Sequence, residues 1–451
     1  MWRGRAAEHV DGASLAVLRM AVGLTGAVSG VRLLAHGWAW SRYSDPRHRF
    51  TYLGFGWVPR LPHHGMTILV VVVATASILV ALGQWYRPAI VVLFAGWVWI
   101  ELLDATTYLN HYWFVTLVAA LLCLAPADAA LSLGARRRGE RTIARGWVWL
   151  LRFQVGVVYT GAGIAKLNTD WLVHALPLRM WLPRRTHLPG LAQLMEHAWF
   201  AHVLSIAGAA FDCTVVVLLL HRRTRPFAFA AVVAFHGATG WLFQIGVFPW
   251  LMTAAATIFF APGWPRRLLT MAARRWPSLA GVAAQPRVGS AEPRHPTLWL
   301  VLAGAWVVLQ VVLPLRHLVI PGDHRWTGEG YRFAWNVLAT EKAGFVRFHL
   351  VDPSTGERWT TDARRLYTDE QWAVMATDPD FIHQAAKVLA HDARAAGHAD
   401  VEVRVDAWMS FNGRPATRLV DPTVDLAATP RSFGHRDWIM PGPIGPPPEP
   451  G

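Results

Sequence analysis

The feature that most constrains this chain is a series of near-continuous apolar runs, at about residues 13–35, 66–84, 88–106, 112–130, 146–166, 199–220, 226–242, 244–262 and 297–316. In hydrocarbon a backbone must satisfy its own hydrogen bonds, and a helix of about 20 apolar residues does so across a bilayer. A water-soluble core has no use for so many runs. The sequence therefore predicts a mainly α fold, a polytopic membrane helix bundle of about nine spans. The seventh and eighth runs are short and also read as one bent element. Composition agrees: 53% of residues are hydrophobic and 16% charged, outside the usual range of soluble domains. The 25 tryptophans suit membrane–water interfaces.

A formal charge of +14 would suit nucleic acid if it lay on one face. The arginines stand instead in short blocks between apolar runs, so the charge is a topology signal and the partner is the lipid bilayer. Arg87 follows the second run, Arg136, Arg137, Arg138 and Arg141 the fourth, Arg222, Arg223 and Arg225 the sixth, and Arg266, Arg267, Arg274 and Arg275 the eighth. With nine spans and a cytoplasmic N-terminus, all of these are cytoplasmic. Arg42, Arg47, Arg49 and Arg60, and later Arg179, Arg184 and Arg185, depart from the pattern. The first run reads as a membrane helix rather than a cleaved signal, because no small-residue cleavage site follows a short apolar core.

Three regions result. Residues 1–317 form a transmembrane domain, 318–440 a smaller extracytoplasmic α+β domain, and 441–451 a disordered Pro/Gly-rich tail. Within the second region Phe345–Leu350 alternates as a strand does, Asp352–Gly356 reads as a turn, and 369–396 has a helical pattern. Asn412-Gly413 between two apolar stretches signals a hairpin.

Three lysines (Lys166, Lys342 and Lys387) stand against forty arginines, which singles out Lys166 at the end of an apolar run. Two readings of it stand. Burial can free an amine to act as a base, which a guanidinium cannot do; alternatively the side chain snorkels at a helix end. Gly156, Gly161 and Gly163 on the same run let neighbours approach. His111 opens the fourth run on the same outer side, either as an interfacial histidine or as a partner of Lys166. His236 lies mid-run, where an ionisable group is costly and usually functional. Asp212 and Arg152 read as structural partners. Gln244 lies in the outer turn after the seventh run. Cys123 and Cys213 read as small buried hydrophobes. No Cys/His cluster has metal-ligand spacing, so no metal is expected.

The segments Tyr108–Tyr112, Gly163–Trp171 and Phe243–Pro249 resemble the membrane motifs of the vitamin K-dependent γ-carboxylases and their bacterial relatives, the horizontally transferred transmembrane family. Leu313–His317 with Trp326–Trp335, then Val405–Trp408 and Asp421–Asp425, resemble later blocks of that family. The similarity keeps its order from about residue 14 to about residue 440.

That resemblance implies a membrane enzyme using vitamin K hydroquinone or menaquinol, O2 and CO2, and no metal. A lysine at the position of Lys166 takes the quinol proton. The oxygenated quinol yields a strong base that removes the γ-proton of a substrate Glu, CO2 adds, and the quinone leaves as its epoxide. A histidine at the position of His111 assists the carbanion and CO2 step. Asn110, His236, Gln244, Arg316, His317, Trp326, Glu329, Arg332 and Trp335 are implied to bind substrates, and a secreted Glu-containing protein is the implied partner. Phe333 stands near where the animal enzymes of that family have a tyrosine beside the substrate. A quinol epoxidase or oxygenase with another acceptor, or none, is the alternative; a transporter is disfavoured because no matching inverted halves appear.

Overall fold

The structure, a computed structural model, describes residues 6–185, 192–243, 245–283, 287–291, 296–443 and 445–447. Among the described residues the bundle contains nine helices: α1 (Ala13–Ala35), α2 (His63–Leu82), α3 (Tyr86–Leu103), α4 (Asn110–Leu124), α5 (Arg145–Lys166), α6 (Ala198–Leu220), α7 (Arg225–Leu242), α8 (Phe248–Ala256) and α9 (Pro296–Leu315). Six stretches among the described residues are long and apolar enough to cross a membrane: α1, α2, α3, α5, α6 and Thr297–Val319, which includes most of α9.

The other three of the nine expected runs fall short for identifiable reasons. Pro126 disfavours helix at the residue before it, so α4 stops at Leu124 and Ala125 turns extended. Helix α7 begins with Arg225 and carries His236 at mid-length. It is separate from α8, because Gly246 adopts φ +62° and breaks the chain direction between them, a conformation glycine adopts without penalty.

Close packing inside the bundle follows its small residues. On α1, a Cβ at Gly23 or Gly30 would lie 2.5 Å from the Ser77 carbonyl or 2.8 Å from Ala74 Cβ, both on α2. On α5, a Cβ at Gly163 would lie 2.8 Å from Cys213 Sγ and 2.9 Å from its backbone nitrogen on α6. Cys123 and Cys213 are free.

One end of the bundle is closed by a small sheet in the order β1 (His9–Asp11), β2 (Arg141–Ala144), β3 (Arg287–Ala291). Arg266 is buried there and pairs with Asp11 at 2.6 Å and with Glu140. Arg152 is structural, as expected: its guanidinium donates to the carbonyls of Ile258 and Phe260, each at 2.9 Å, where α8 unwinds.

The C-terminal region sits at the other end. Strands β4 (Lys342–Val351), β5 (Arg358–Thr361), β6 (Glu402–Phe411) and β7 (Thr417–Arg418) form an antiparallel sheet in the order β5-β4-β6-β7. Alternate residues of β6 (Val403, Val405, Ala407, Met409) are buried with Phe381, Ile382, Ala385 and Leu389 of helix α11 (Pro379–Ala395). The helical pattern at 369–396 is two helices, α10 (Asp369–Met375) and α11, separated where Asp378 caps the second. At the hairpin Asn412 and Gly413 have φ +48° and +78°, as a tight turn of the primed type requires. In the tail expected to be disordered, a Cβ at Gly442 would lie 3.0 Å from the Trp326 ring, and the Gly445 carbonyl accepts a hydrogen bond from Arg414.

Ion pairs and polar bonds fasten this region to the bundle. Arg42 pairs with Glu370 at 2.9 Å, and Gln371 donates to Asp104 at 2.6 Å. A further buried link joins Asp170, just after α5, to Arg414 at 2.6 and 3.1 Å and to Asn412 Nδ2 at 2.8 Å. Burial pushes the Asp170 carboxyl up, but these donors outweigh it and hold it below the ordinary carboxylate range. Asp170→Asn leaves Arg414 buried without its anion and is expected to cost about 3–5 kcal/mol, read as a lower Tm in nanodiscs. A lowered pKa stabilises only while the carboxylate is ionised. The wild-type advantage should be full at neutral pH and shrink as the pH drops below about 4, the ordinary carboxyl value. A difference independent of pH would contradict this.

Candidate functional site

Helix periodicity brings separate polar residues to one cavity of about 610 Å³. On α5, Tyr159, Ala162 and Lys166 recur on one face; on α6, Leu204, Gly208, Phe211 and Asp212 do; on α7, Phe235, His236 and Thr239 do. Asn110, His111 and Tyr112 open α4 into the same space, and Ser29, Arg32 and Leu33 enter it from α1. The remaining wall is largely apolar, including Trp171, Phe243, Phe248, Met252 and Leu338.

Lys166 is 4% exposed, as is Asp212. Its Nζ donates to Asp212 Oδ2 at 2.9 Å, to the Ala162 carbonyl at 3.2 Å and to the Val337 carbonyl at 3.4 Å. It also lies 5.2 Å from the Trp171 ring centroid. An ammonium has three N–H donors, so these three acceptors satisfy the charged form in full. The buried amine is therefore paired rather than bare. The close approach of α6 at Gly163 allows Asp212 to reach it.

The second buried pair is Tyr159 with His236, 2.8 Å from hydroxyl to Nε2. Among the described residues Nδ1 of His236 has no partner, and the residue is 3% exposed. His111 packs 5.6 Å from the Phe248 ring and 4.5 Å from Tyr112. Among the described residues it makes no hydrogen bond, leaving its ring nitrogens for a ligand. Asn110 accepts from Tyr108 at 3.0 Å and donates to the Asn336 carbonyl at 3.2 Å.

Of the residues that the sequence singled out, Lys166, His111, Asn110 and His236 share this cavity. Gln244 lies outside the described residues. Arg316, His317, Trp326, Glu329, Arg332 and Trp335 lie outside its wall. Arg316 donates to the carbonyls of Leu313 and Arg332. His317 donates from Nδ1 to Pro314 and stacks on His324 at 3.9 Å. Trp326 donates to Met440, Glu329 accepts from His435 and Arg436, and Arg332 pairs with Asp378 at 2.5 Å. These contacts shape the segment 328–338.

That segment is strained. Phe333, Trp335 and Leu338 have φ of +65°, +57° and +52°, a region costing non-glycine residues about 1–3 kcal/mol each. Its surroundings hold it: the Phe333 N–H donates to Tyr108 at 2.9 Å, Asn336 is bound by Asn110, and fully buried Trp335 packs on Gly161. The result places the Val337 carbonyl on Lys166 and Leu338 in the cavity wall. Phe333 lies among Tyr52, Tyr108 and Trp113, away from the cavity.

The sequence reading did not assign Tyr159 or Arg32 to the site. The signal for Tyr159 was present, seven residues before Lys166 on one helical face. Nothing local marks Arg32 among forty arginines. Among the described residues no group of three or more His, Cys, Asp or Glu could hold a metal ion.

An apolar helix bundle with this cavity and an extracytoplasmic-end sheet defines a class of membrane protein, and sequence comparison places it. Residues 7–264 match the family model for the HTTM domain, and residues 295–444 match that for the lumenal domain of vitamin K-dependent gamma-carboxylase. The chain belongs to the vitamin K-dependent γ-carboxylase family, with an HTTM membrane domain followed by the lumenal one. No solved structure matches it. The family implies a vitamin K cofactor and an extracytoplasmic C-terminal part. The cavity fits such a cofactor: its volume lies within the about 300–1,000 Å³ of small-molecule sites, its wall is apolar and aromatic, and its few polar groups face inward.

Trp335 offers a test of the strained segment. A Cβ at Gly161 would lie 2.9 Å from Trp335 Cβ, so Gly161→Val must push the segment away. Quinol-dependent activity is expected to fall at least tenfold while the protein still reaches the membrane. Full activity would mean that the Val337 contact to Lys166 is dispensable.

Proposed function

We propose that this chain is a membrane enzyme that oxygenates a reduced naphthoquinone and couples this to carboxylation of Glu side chains in a secreted protein. The observation carrying the proposal is the buried Lys166–Asp212 pair facing an apolar cavity shared with His111 and His236. Vitamin K hydroquinone, when bound, supplies with O2 the strong base that a γ-C–H demands.

The side chains supply the rest. Lys166 Nζ passes a proton to Asp212 and then accepts that of a quinol hydroxyl, with Asp212 holding the amine in direction. Tyr159 and His236, a hydrogen-bonded pair in the cavity wall, face the other end of the ring. His111 and Asn110 meet the Glu side chain and CO2. Trp171, Phe243 and Leu338 exclude water, which would quench so strong a base. Nine passes and a cytoplasmic N-terminus are supported by the arginine blocks and by β1 and the C-terminal sheet lying at opposite ends. A quinol epoxidase with a different or no acceptor is the second reading. It is favoured by one observation, that six residues assigned by resemblance to substrate binding lie outside the cavity wall.

Lys166→Arg keeps the charge and removes the ability to accept a proton. General-base catalysis is worth about 10²–10⁴-fold, so epoxide formation in proteoliposomes should fall by at least about a hundredfold with expression intact. Near-normal epoxide formation would make Lys166 a structural cation and overturn the proposal.

A further inference from the structure

The charges around the cavity do not cancel. Lys166 is neutralised by Asp212 and Arg42 by Glu370. Arg32, in the last turn of α1, lines the same wall. Among the described residues it has no carboxylate and no hydrogen-bond acceptor. Its guanidinium lies 5.5 Å from the Trp38 ring, whose surface Arg42 also approaches at 4.3 Å. A Cβ at Gly246 would lie 3.1 Å from Arg32 Nη1, so the turn after α7 lies close against the guanidinium. His111 and Tyr112 line the same cavity. An unpaired cation against an apolar wall is costly, and this one borders a built site. A planar guanidinium with paired donors suits a carboxylate.

We propose that Arg32 binds the γ-carboxylate of the substrate Glu and places its γ-carbon beside His111. This rests on the function proposed above. When the γ-C–H bond breaks, its proton goes to the base formed from the reduced naphthoquinone and O2. The electron pair left on carbon forms the new bond to CO2. At the moment of C–H cleavage the fragment carries two negative charges. A guanidinium already paired with the carboxylate lowers the energy of that state, as preorganised charge does. Arg32 is thus a positioning and specificity-determining residue, and a Gln side chain of the same shape is discriminated against for want of charge.

The test uses the full-length protein in nanodiscs, with two short peptides that differ only in Glu or Gln. Wild type should bind the Glu peptide at least tenfold more tightly than the Gln peptide, and Arg32→Gln should abolish that preference. In turnover with reduced vitamin K and labelled bicarbonate, Arg32→Gln should raise KM for the Glu peptide at least tenfold. KM for the quinol should move less than twofold, and Arg32→Lys should recover part of the loss. No wild-type preference for Glu over Gln would overturn the proposal. So would a rise in quinol KM with the Glu KM unchanged, which would assign Arg32 to the quinol or to a lipid headgroup. If label is not fixed but the Glu preference still depends on Arg32, the carboxylate site stands and the reaction proposed above fails.

Discussion

Everything at this site depends on one ion pair in an apolar surrounding. Lys166 and Asp212, on different helices 46 residues apart, each could be buried only with the other. Removing either would leave an uncompensated charge at a cost of about 3–5 kcal/mol. Their meeting requires α5 and α6 to touch at Gly163, where any side chain would strike Cys213. The third acceptor, the Val337 carbonyl, comes from beyond the last apolar run. The hydrogen bonding of this pair in the bundle is therefore completed by a segment that leaves it.

That segment explains why the C-terminal sheet is held so firmly. Asp170 follows Lys166 by one turn and is bound by Asn412 and Arg414 of the hairpin. Glu329, Arg332 and Trp326 are spent on bonds to the same region. The strained backbone at Phe333, Trp335 and Leu338 is the geometric consequence of reaching down to a lysine in the bundle. These anchors set the position of one carbonyl and one leucine at the mouth of the cavity.

Apolar periodicity made much of the bundle legible, because hydrocarbon permits few alternatives to a helix. The breaks at Pro126 and Gly246 were also present as residues, yet run length alone merged or lengthened the helices around them. Scarcity identified Lys166, and depth in a run identified His236. The cavity joins these two with His111 because each recurs at the correct helical phase. The partner of Lys166 was not legible: Asp212 was visible as an intramembrane charge, but pairing between two helices has no local signature. The block Trp326–Trp335 was noticed for its residues, whereas its contacts depend on three-dimensional register with 378, 435 and 440. The approach of Gly442 to the Trp326 ring likewise has no local signature in the sequence.

Photolabelling locates the quinol most directly. A photoreactive naphthoquinone, reduced and crosslinked in nanodiscs, then mapped by peptide mass spectrometry, should label residues of α5, α6 and α7 that line the cavity. Excess unlabelled vitamin K hydroquinone should compete that label away. Competed label confined to the lipid-facing surface of α9, with none on the helices bearing Lys166, Asp212 and His236, would contradict the placement of the chemistry at this ion pair.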